Sequence, residues 1–509
     1  MSASDRHVVK QYLLDSDLEL KSYQSEVNRL KARIMVLQHK GKILKEKRAK
    51  YTSLLSPIRR MPPEVLVEIF ERVCSEETIR VSRSPAIVVL ANVCGRWRQI
   101  VLSTSRLWST IRLRLNNRWF PSGGGKLKRL EYLVNLFLER SRRKSLSLTL
   151  QTVDGPSQQI SDEQLDQALS AIKGLFHNSD RWRALCCTHT LLQRPALQKI
   201  RNRVPALERL EIVSEFGDQT DPLFDTCPSL TSLNITADNW SEHDFPFPFY
   251  QLNSLSICNS WTLPTINILR SCTNLARLEL HSTGGNLDNL EAEEHVILPT
   301  VQHLIVVAQE HDDATTIFQV ATLGSLKTLE IGRTALDNWR DLDFDVITDF
   351  LIRSSCSITS LSLDNLPISD AAVTVLLRLM PTLTSLTIKE SPLRKNGKNT
   401  ILTSSFFKLF DTEPVGEESF LPSLQELTLV MHHSLKTQQN LLDVAASRAP
   451  NERDTTTVAP LRSLTVTIMS KAKVDMVAFS GPLQYFRDAG LRVDISFKEL
   501  SQPAPSNAS

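Results

Sequence analysis

Aliphatic residues recur in one short pattern through the second half of the chain: an aliphatic residue, two others, leucine, one other, and a further aliphatic residue. Ten copies lie between residues 205 and 466. Side chains alternate between the two faces of a strand, so each copy predicts a short strand with one aliphatic face. The aliphatic triplets are Leu207, Leu210, Ile212; Leu230, Leu233, Ile235; Leu252, Leu255, Ile257; Leu275, Leu278, Leu280; Val301, Leu304, Val306; Leu326, Leu329, Ile331; Ile358, Leu361, Leu363; Leu383, Leu386, Ile388; Leu424, Leu427, Leu429; and Leu461, Leu464, Val466.

The triplets are regularly spaced at first and more widely spaced later. Their first positions are 22 to 26 residues apart up to Leu326, and the later steps reach 41 residues. Self-similarity at a period of about 20–29 residues is typical of a leucine-rich solenoid. We therefore predict an α/β leucine-rich-repeat array with parallel strands on a concave face and helices or irregular segments on the convex face. The long steps predict surface insertions at 281–295, 394–399, 411–419 and 451–457.

The residues flanking each central leucine face away from the aliphatic triplet, and nineteen of these twenty are polar. This wet face is the candidate binding surface for an unknown protein substrate. The alternative is that serine and threonine are simply soluble strand residues. The candidates for partner contact are Arg209, Glu211, Asn234, Arg277, Glu279, His303, Glu330 and Glu426. The apolar run at 245–250 is either a partner anchor or, as we favour, a loop packed on its own repeat.

Residues 13–55 carry a different period, with apolar residues every three and four positions. One seam holds Leu13, Leu20, Val27 and Ile34, and the other holds Tyr23, Leu30, Leu37 and Leu44. This heptad predicts a coiled-coil helix that either self-associates or docks against the next helix of its own chain. A basic cluster follows between Lys40 and Lys50, for which a solvated helix face is favoured over a nuclear address or a nucleic-acid patch.

Between the heptad and the triplets, helical stripes and alternating strands predict further elements. Pro62 and Pro63 mark the start of a helix, and SLSLTL at 145–150 and the segment around Trp182 predict early strands that begin the array. The glycine-rich segment 122–125 predicts a hinge or surface loop. We expect a heptad helix (1–54), a compact helical domain (55–119), a linker with atypical capping repeats (120–204), the repeat array (205–500) and a disordered tail (501–509).

Composition narrows the class of protein. The net charge is only +3 over 509 residues, which gives no case for nucleic acid as the main partner. No run of eighteen apolar residues is present, and the N-terminus lacks the apolar core of a secretory signal, so no membrane partner is expected. Eight scattered cysteines favour a reducing compartment, and Cys227, Cys272 and Cys356 are expected to fill the turn from helix to strand.

No pattern of catalytic or metal-binding residues was found. The chain has no H-E-x-x-H, G-x-S-x-G or phosphate-loop motif, and the adjacent pair His432 and His433 would face opposite ways on a strand. We expect a non-catalytic chain without metal or cofactor, whose function is to hold another macromolecule.

Three segments of the helical domain resemble the F-box-like domain that is abundant in basidiomycete fungal proteins. They are LSPIRRMPPEVLVEIF (55–70), VCGRWRQI (93–100) and SRLW (105–108). Met61 stands where that family most often has leucine. The preceding heptad helix and the following repeats also fit the family's layout, although the resemblance covers only a small part of the chain.

The resemblance implies a function. Proteins of this kind bind a Skp-type adaptor, which joins a cullin–RING (SCF) ubiquitin ligase, and their repeats present the substrate; they are cytoplasmic or nuclear. Some of the corresponding residues here, such as Ile69, Val93 and Trp97, have the alternative role of holding the three helices together. The residues that would form or support the adaptor surface are Ile58, Pro62, Leu66, Ile69, Phe70, Leu90, Val93 and Trp97. A scaffold without ubiquitin chemistry is the second interpretation.

Overall fold

The computed structural model describes residues 3–116, 125–152, 160–213, 223–236, 247–258, 262–282, 295–308, 311–333, 344–391, 401–410, 419–433, 437–448, 458–470, 479 and 481–499. The loop predicted at 122–125, the four predicted insertions and the tail at 501–509 lie wholly or largely outside these residues. The chain divides into two compact units, one of residues 1–76 and 90–103 and one of residues 77–89 and 104–509.

The first unit is helical. A single helix of 52 residues comes first, followed by a 3-10 turn at Pro57–Arg59 and by short helices. Its helices are α1 (Ala3–Leu54), α2 (Pro63–Ser75) and α4 (Gly95–Ser103), and α3 (Ala86–Ala91) contributes its last two residues. As predicted, prolines begin α2. Glu64 occupies its first turn, where the helix dipole favours an acid.

The second unit is built on one parallel sheet of fourteen strands, and its strand order follows the chain. Strands β8 and β10 pair separately. The strands are β1 (Thr110–Leu115), β2 (Leu146–Thr152), β3 (Trp182–Thr188), β4 (Arg209–Val213), β5 (Ser232–Thr236), β6 (Ser254–Cys258), β7 (Arg277–His281), β8 (Val296–Ile297), β9 (His303–Ala308), β10 (Ala321–Thr322), β11 (Thr328–Arg333), β12 (Ser360–Asp364), β13 (Ser385–Lys389), β14 (Glu426–His432), β15 (Ser463–Ser470) and β16 (Arg492–Glu499).

Helices connect many of the strands, as a parallel sheet requires. Adjacent helices pack on one another; for example, Phe318 and Phe350 meet edge-on with ring centroids 5.2 Å apart. The helices are α5 (Gly125–Ser141), α6 (Asp162–Ala171), α7 (Lys173–His177), α8 (His189–Leu192), α9 (Pro195–Gln198), α10 (Thr262–Ser271), α11 (His311–Val320), α12 (Phe344–Ser354), α13 (Asp370–Arg378), α14 (Ser404–Lys408), α15 (Thr437–Ser447) and α16 (Gln484–Asp488).

The repeat pattern accounts for the core of this unit. All thirty triplet side chains are at most 2% exposed. The three earlier strands continue the same interior with Ile111, Leu148 and Leu185, all buried. The α/β solenoid class predicted from the sequence is therefore confirmed, and the strands predicted at 145–150 and around Trp182 are β2 and β3.

The two edge strands of the long sheet, β1 and β16, have different surroundings. At β1, the amide of Ile79 donates a hydrogen bond of 2.9 Å to the carbonyl of Arg112 and forms an isolated bridge there. At the other end, β16 is an edge strand of eight residues whose side chains include Arg492, Asp494 and Lys498, all exposed. Charges on an edge strand disfavour pairing with a further chain.

The cysteines have structural positions. Cys227 and Cys272 are buried, Cys356 is half-buried, and all three are free. Burial raises the pKa of both Cys227 and Cys272 to about 12. These thiols therefore remain protonated at neutral pH, which suits packing and not nucleophilic chemistry.

Candidate protein-binding surfaces

Helix α2 carries two apolar stripes, and only one of them is used in the core of the first unit. Leu66 and Phe70, four residues apart, are buried at 0% and 1% exposure. Val65, Ile69 and Val73 repeat at the same spacing along another side of the helix and are 36–49% exposed. A surface helix normally presents polar residues outward, so this second stripe is a candidate surface for a partner.

Further exposed apolar residues lie in the same unit. Ile58, in the 3-10 turn before α2, is 37% exposed, and Val93, before α4, is 56% exposed. Pro62 caps the N-terminus of α2 and is also exposed. Ile58, Pro62, Ile69 and Val93 are thus accessible to a partner. We call these four residues, with Val65 and Val73, the α2 surface.

The remaining predicted residues of this set lie inside the unit. Leu66 and Phe70 have almost no accessible side chain. The half-buried Trp97 packs edge-on against Phe70, with ring centroids 4.8 Å apart, and Leu90 is also half-buried. These residues support the helices beneath the surface. Ile69 and Val93, for which a purely internal role was the alternative, have exposed side chains.

An arginine that the sequence analysis did not single out fixes the turn before α2. The guanidinium of Arg96, on α4, donates hydrogen bonds to the backbone carbonyls of Arg59 and Met61. These bonds tie the turn that carries Ile58 to α4. The only sequence signal is the position of Arg96 next to Trp97, and neither spacing nor composition predicts which carbonyls it reaches.

In the second unit, the strand register aligns the predicted polar positions into two rows, which together we call the strand face. All of these side chains are half-buried or exposed. The first row is Arg209, Ser232, Ser254, Arg277, His303, Thr328, Ser360, Ser385, Glu426 and Ser463. The second row is Glu211, Asn234, Ser256, Glu279, Ile305, Glu330, Ser362, Thr387, Thr428 and Thr465.

The register brings all eight predicted strand-face candidates into these rows. Arg209, Arg277, His303 and Glu426 lie in the first row, and the other four lie in the second. Asn234 Oδ1 is shielded from solvent and accepts no hydrogen bond from a described residue.

Several polar side chains on these strands pair with one another. On β7, Arg277 Nε lies 2.5 Å from Glu279 Oε1, and His281 Nε2 lies 3.7 Å from Glu279 Oε2. Between β12 and β13, Lys389 Nζ lies 2.8 Å from Asp364 Oδ2. His281, Asp364 and Lys389 belong to a third row that the sequence analysis missed, and extending the strand alternation by two residues would have found it.

The number of charged residues on the strand face differs between the strands β4 to β11 and the strands β12 to β15. From β4 to β11 the two rows include Arg209, Glu211, Arg277, Glu279 and Glu330. From β12 to β15 they hold hydroxyl side chains with a single charge, that of Glu426. The charged residues of the two rows are therefore concentrated between β4 and β11.

The aromatic run at 245–250 is described from Phe247 onward. The Phe247 ring stacks on Phe224, with centroids 6.3 Å apart, and Phe249 is buried. Tyr250 is 61% exposed. The described phenylalanines thus pack within the solenoid, where Phe247 contacts both Phe249 of its own segment and Phe224 of the preceding one.

The described residues include neither a metal-binding cluster nor a membrane-spanning helix. They contain no group of three or more His, Cys, Asp or Glu side chains placed to bind a metal ion. His432 Nε2 lies 2.7 Å from the carbonyl oxygen of Ser391, whereas the His433 ring lies against Phe479. In this part of the chain there is also no helix with the length and apolar character needed to cross a membrane.

Comparison with known proteins identifies one domain. The family model named F-box-like matches residues 58–114, which contain the whole α2 surface and end within β1. A search of curated proteins returns no match to this chain. The chain therefore carries an F-box-like domain between a long N-terminal helix and a parallel-sheet solenoid. Domains of this kind are typical of the adaptor-binding, non-catalytic subunits of SCF-type ligases.

Proposed function

We propose, with the F-box-like domain at residues 58–114 as the premise, that this chain is a substrate-recognition subunit of an SCF-type (cullin–RING) ubiquitin ligase. The observation that carries the proposal is the exposed second stripe of α2 inside that domain. Val65, Ile69 and Val73 leave apolar surface in water that a partner would bury. The partner is a Skp-type adaptor, which links the chain to the cullin.

In this proposal, exposed residues of the α2 surface contact the adaptor, and residues beneath that surface support them. Ile58, Pro62, Ile69 and Val93 contact the adaptor. Leu66, Phe70, Leu90 and Trp97 hold the helices in place beneath them. Arg96 holds the turn of Ile58 through its two carbonyl contacts. Since interface energy concentrates in a few side chains that binding buries well, a minority of these four contacts is expected to supply most of the affinity.

The strand face binds the target protein. Its fixed rows present side chains at the strand spacing of about 4.8 Å, and the charged part between β4 and β11 selects the partner. The mechanism is proximity: the adaptor surface attaches the chain to the ligase, and the strand face raises the local concentration of the target there. No residue of this chain takes part in the ubiquitin transfer in this proposal.

The test is the affinity of the full-length chain for a purified Skp-type adaptor. Ile69→Asp with Val93→Asp places two charges in the interface without opening the core, so we expect the dissociation constant to rise at least about thirtyfold. The matched control is Ile352→Asp with Val375→Asp, two side chains 62% and 58% exposed on solenoid helices. The control should bind like the wild type. Leu66 is unsuitable for this test because its buried side chain would confound docking with folding.

The second candidate function is a scaffold that assembles proteins through its helix and solenoid without ubiquitin chemistry. The exposed α1 and the strand face both favour it, since each offers a protein-binding surface independent of the F-box-like domain. A wild-type chain that fails to bind the adaptor would make the scaffold the better account. An Ile69→Asp/Val93→Asp variant that binds as well as the wild type would instead remove the α2 surface from adaptor docking.

A further inference from the structure

Helix α1 exposes a long apolar seam that adaptor binding and target binding do not use. Its eight seam residues are 42–68% exposed. Among the side chains described from residue 6 to residue 52, all but Ser16 and Gly41 are exposed. The alternative in which the seam docks on the next helix of its own chain is therefore not the arrangement in this structure. A continuous apolar stripe of this length is stable in water when a second helix covers it.

Between residues 19 and 34, the seam is a continuous apolar stripe on an otherwise polar helix surface. Leu20, Tyr23, Val27, Leu30 and Ile34 alternate at steps of three and four residues. Between residues 19 and 34, no side chain off the seam is both apolar and larger than alanine. The other exposed apolar residues of α1, such as Leu14, Leu18 and Met35, lie outside this stretch and do not extend it into a second column. One narrow seam is typical of a coiled coil, and a two-fold pair is the commonest closed assembly of identical chains.

The charges of α1 are separated along its length, and this separation selects the direction of pairing. Residues 13–27 carry four acids and one base, a net charge of −3, and residues 29–50 carry nine bases and one acid, a net charge of +8. A parallel pair would place the two strongly basic halves side by side. An antiparallel pair places each basic half against an acidic half, which is the electrostatically favoured direction.

We propose that two copies of this chain pair through α1 as an antiparallel coiled coil. Centring the pair between Asn28 and Arg29 matches the seams residue for residue. Leu13 then lies against Leu44 of the second copy, Leu20 against Leu37, Tyr23 against Ile34, and Val27 against Leu30.

The flanking positions agree with this register. Glu19 faces Lys40 of the second copy, and Glu26 faces Arg33. Glu26 Oε2 also lies 2.9 Å from Arg29 Nε of its own helix. This ion pair is exposed and weak, so Glu26 can also pair with Arg33 of the second copy. One repulsion, between Lys10 and Lys45, falls near the end of the overlap, where solvent screens it. The parallel register instead gives Glu26 opposite Lys31 and Lys40 opposite Lys45, an attraction and a repulsion that offset each other.

The pairing has a consequence for the assembled protein. Each α1 leads into its own F-box-like domain at its C-terminal end. At a rise of about 1.5 Å per residue, the antiparallel register places the ends of the two helices roughly 75 Å apart. The dimer is thus bivalent for both adaptor and target, with its two adaptor surfaces well separated.

The first measurement is the mass of the full-length chain in solution at micromolar concentration by sedimentation or light scattering. We expect a dimer. Leu20→Asp with Leu37→Asp places four charges in the paired seam and should give a monomer. The matched control is Leu14→Asp with Leu18→Asp, two leucines 59% and 63% exposed off the seam, and it should remain a dimer. A monomeric wild type, or a seam variant that stays dimeric, overturns the proposal.

The second measurement fixes the direction. Under mild oxidation, a mixture of Leu13→Cys and Leu44→Cys chains should cross-link well above the background set by the native cysteines of the wild type. Leu13→Cys alone should not exceed that background, because its two copies lie about 46 Å apart. The opposite result, cross-linking of Leu13→Cys with itself and not with Leu44→Cys, overturns the antiparallel arrangement. Neither result depends on the Skp-type adaptor, so this proposal and the proposed ligase function fail separately.

Discussion

The two units of the chain differ in whether their regularly spaced apolar side chains are buried or exposed. In the solenoid, every side chain of the ten triplets is at most 2% exposed, and the rows on the other face of the sheet are almost wholly polar. In the first unit, α1 and α2 keep apolar seams and stripes 36–68% exposed. Regular apolar spacing has therefore two outcomes in one chain. The solenoid buries its pattern between stacked repeats, and the helical unit leaves its pattern exposed.

The comparison predicts that equal truncations in the two regions have very different effects on stability. Leu329→Ala, in β11, removes a side chain with 0% exposure and should lower the free energy of unfolding by about 3–5 kcal/mol. Leu20→Ala, in α1, removes a side chain that is 63% exposed. In the dissociated chain it should change the free energy of unfolding by less than about 0.5 kcal/mol. Urea unfolding followed by tryptophan fluorescence measures both. Similar losses for the two variants would show that α1 is packed against its own chain.

A buried arginine in the solenoid is expected to give the next largest effect. Arg448 is 3% exposed and donates hydrogen bonds to the carbonyls of Phe420 and Leu421, while its guanidinium carbon lies 5.7 Å from the centre of the Phe410 ring. Burial lowers the pKa of Arg448 to about 10, so the group is still charged at neutral pH.

Replacing Arg448 with methionine tests the contribution of its hydrogen bonds apart from that of its packing volume. Arg448→Met keeps most of the volume but leaves the Phe420 carbonyl without the Arg448 donor and the Leu421 carbonyl with the amide of Leu424 alone, and it should cost about 1–3 kcal/mol of unfolding free energy. Arg487→Met, on the short helix α16, is the control and should cost less than half as much. A stabilised Arg448→Met chain would show that the cost of burying the charge outweighs its hydrogen bonds.

The smallest expected effect lies in the first unit and concerns the adaptor. Arg96→Ala removes the two hydrogen bonds that hold the turn of Ile58, and it should weaken adaptor binding by about fivefold to tenfold through loss of preorganisation. Arg72→Ala, at an exposed position in the last turn of α2, is the control. The binding constants come from titration calorimetry with purified adaptor. An unchanged affinity in Arg96→Ala would remove Arg96 and its turn from the docking surface.

The sequence predicted the repeating elements well because their periods are long and uniform. Each triplet identifies three residues that must share a face, and ten copies allow few other arrangements than a stacked sheet. The early strands β2 and β3 followed from the alternation at 145–150 and around Trp182. The rows of the strand face then required only the parallel register, which places Arg209 beside Ser232 and Arg277 beside His303.

The sequence could not predict which apolar stripe of a short helix faces inward. In α2, Leu66 and Ile69 are equally apolar and differ only in which neighbours are brought against them, so both were assigned to one surface. Long-range hydrogen bonds are also invisible to local patterns. Arg96 reaches carbonyls 35 and 37 residues earlier, and Arg448 reaches carbonyls 27 and 28 residues earlier.

The most direct test of the account is hydrogen–deuterium exchange of the full-length chain with and without a Skp-type adaptor. If the exposed stripe of α2 is the docking surface, exchange should slow at Pro63–Ser75 and in the turn at Pro57–Arg59, and it should stay unchanged across β4 to β15. Unchanged exchange in α2 when the adaptor is present at saturating concentration, or protection confined to the strands, would contradict the account.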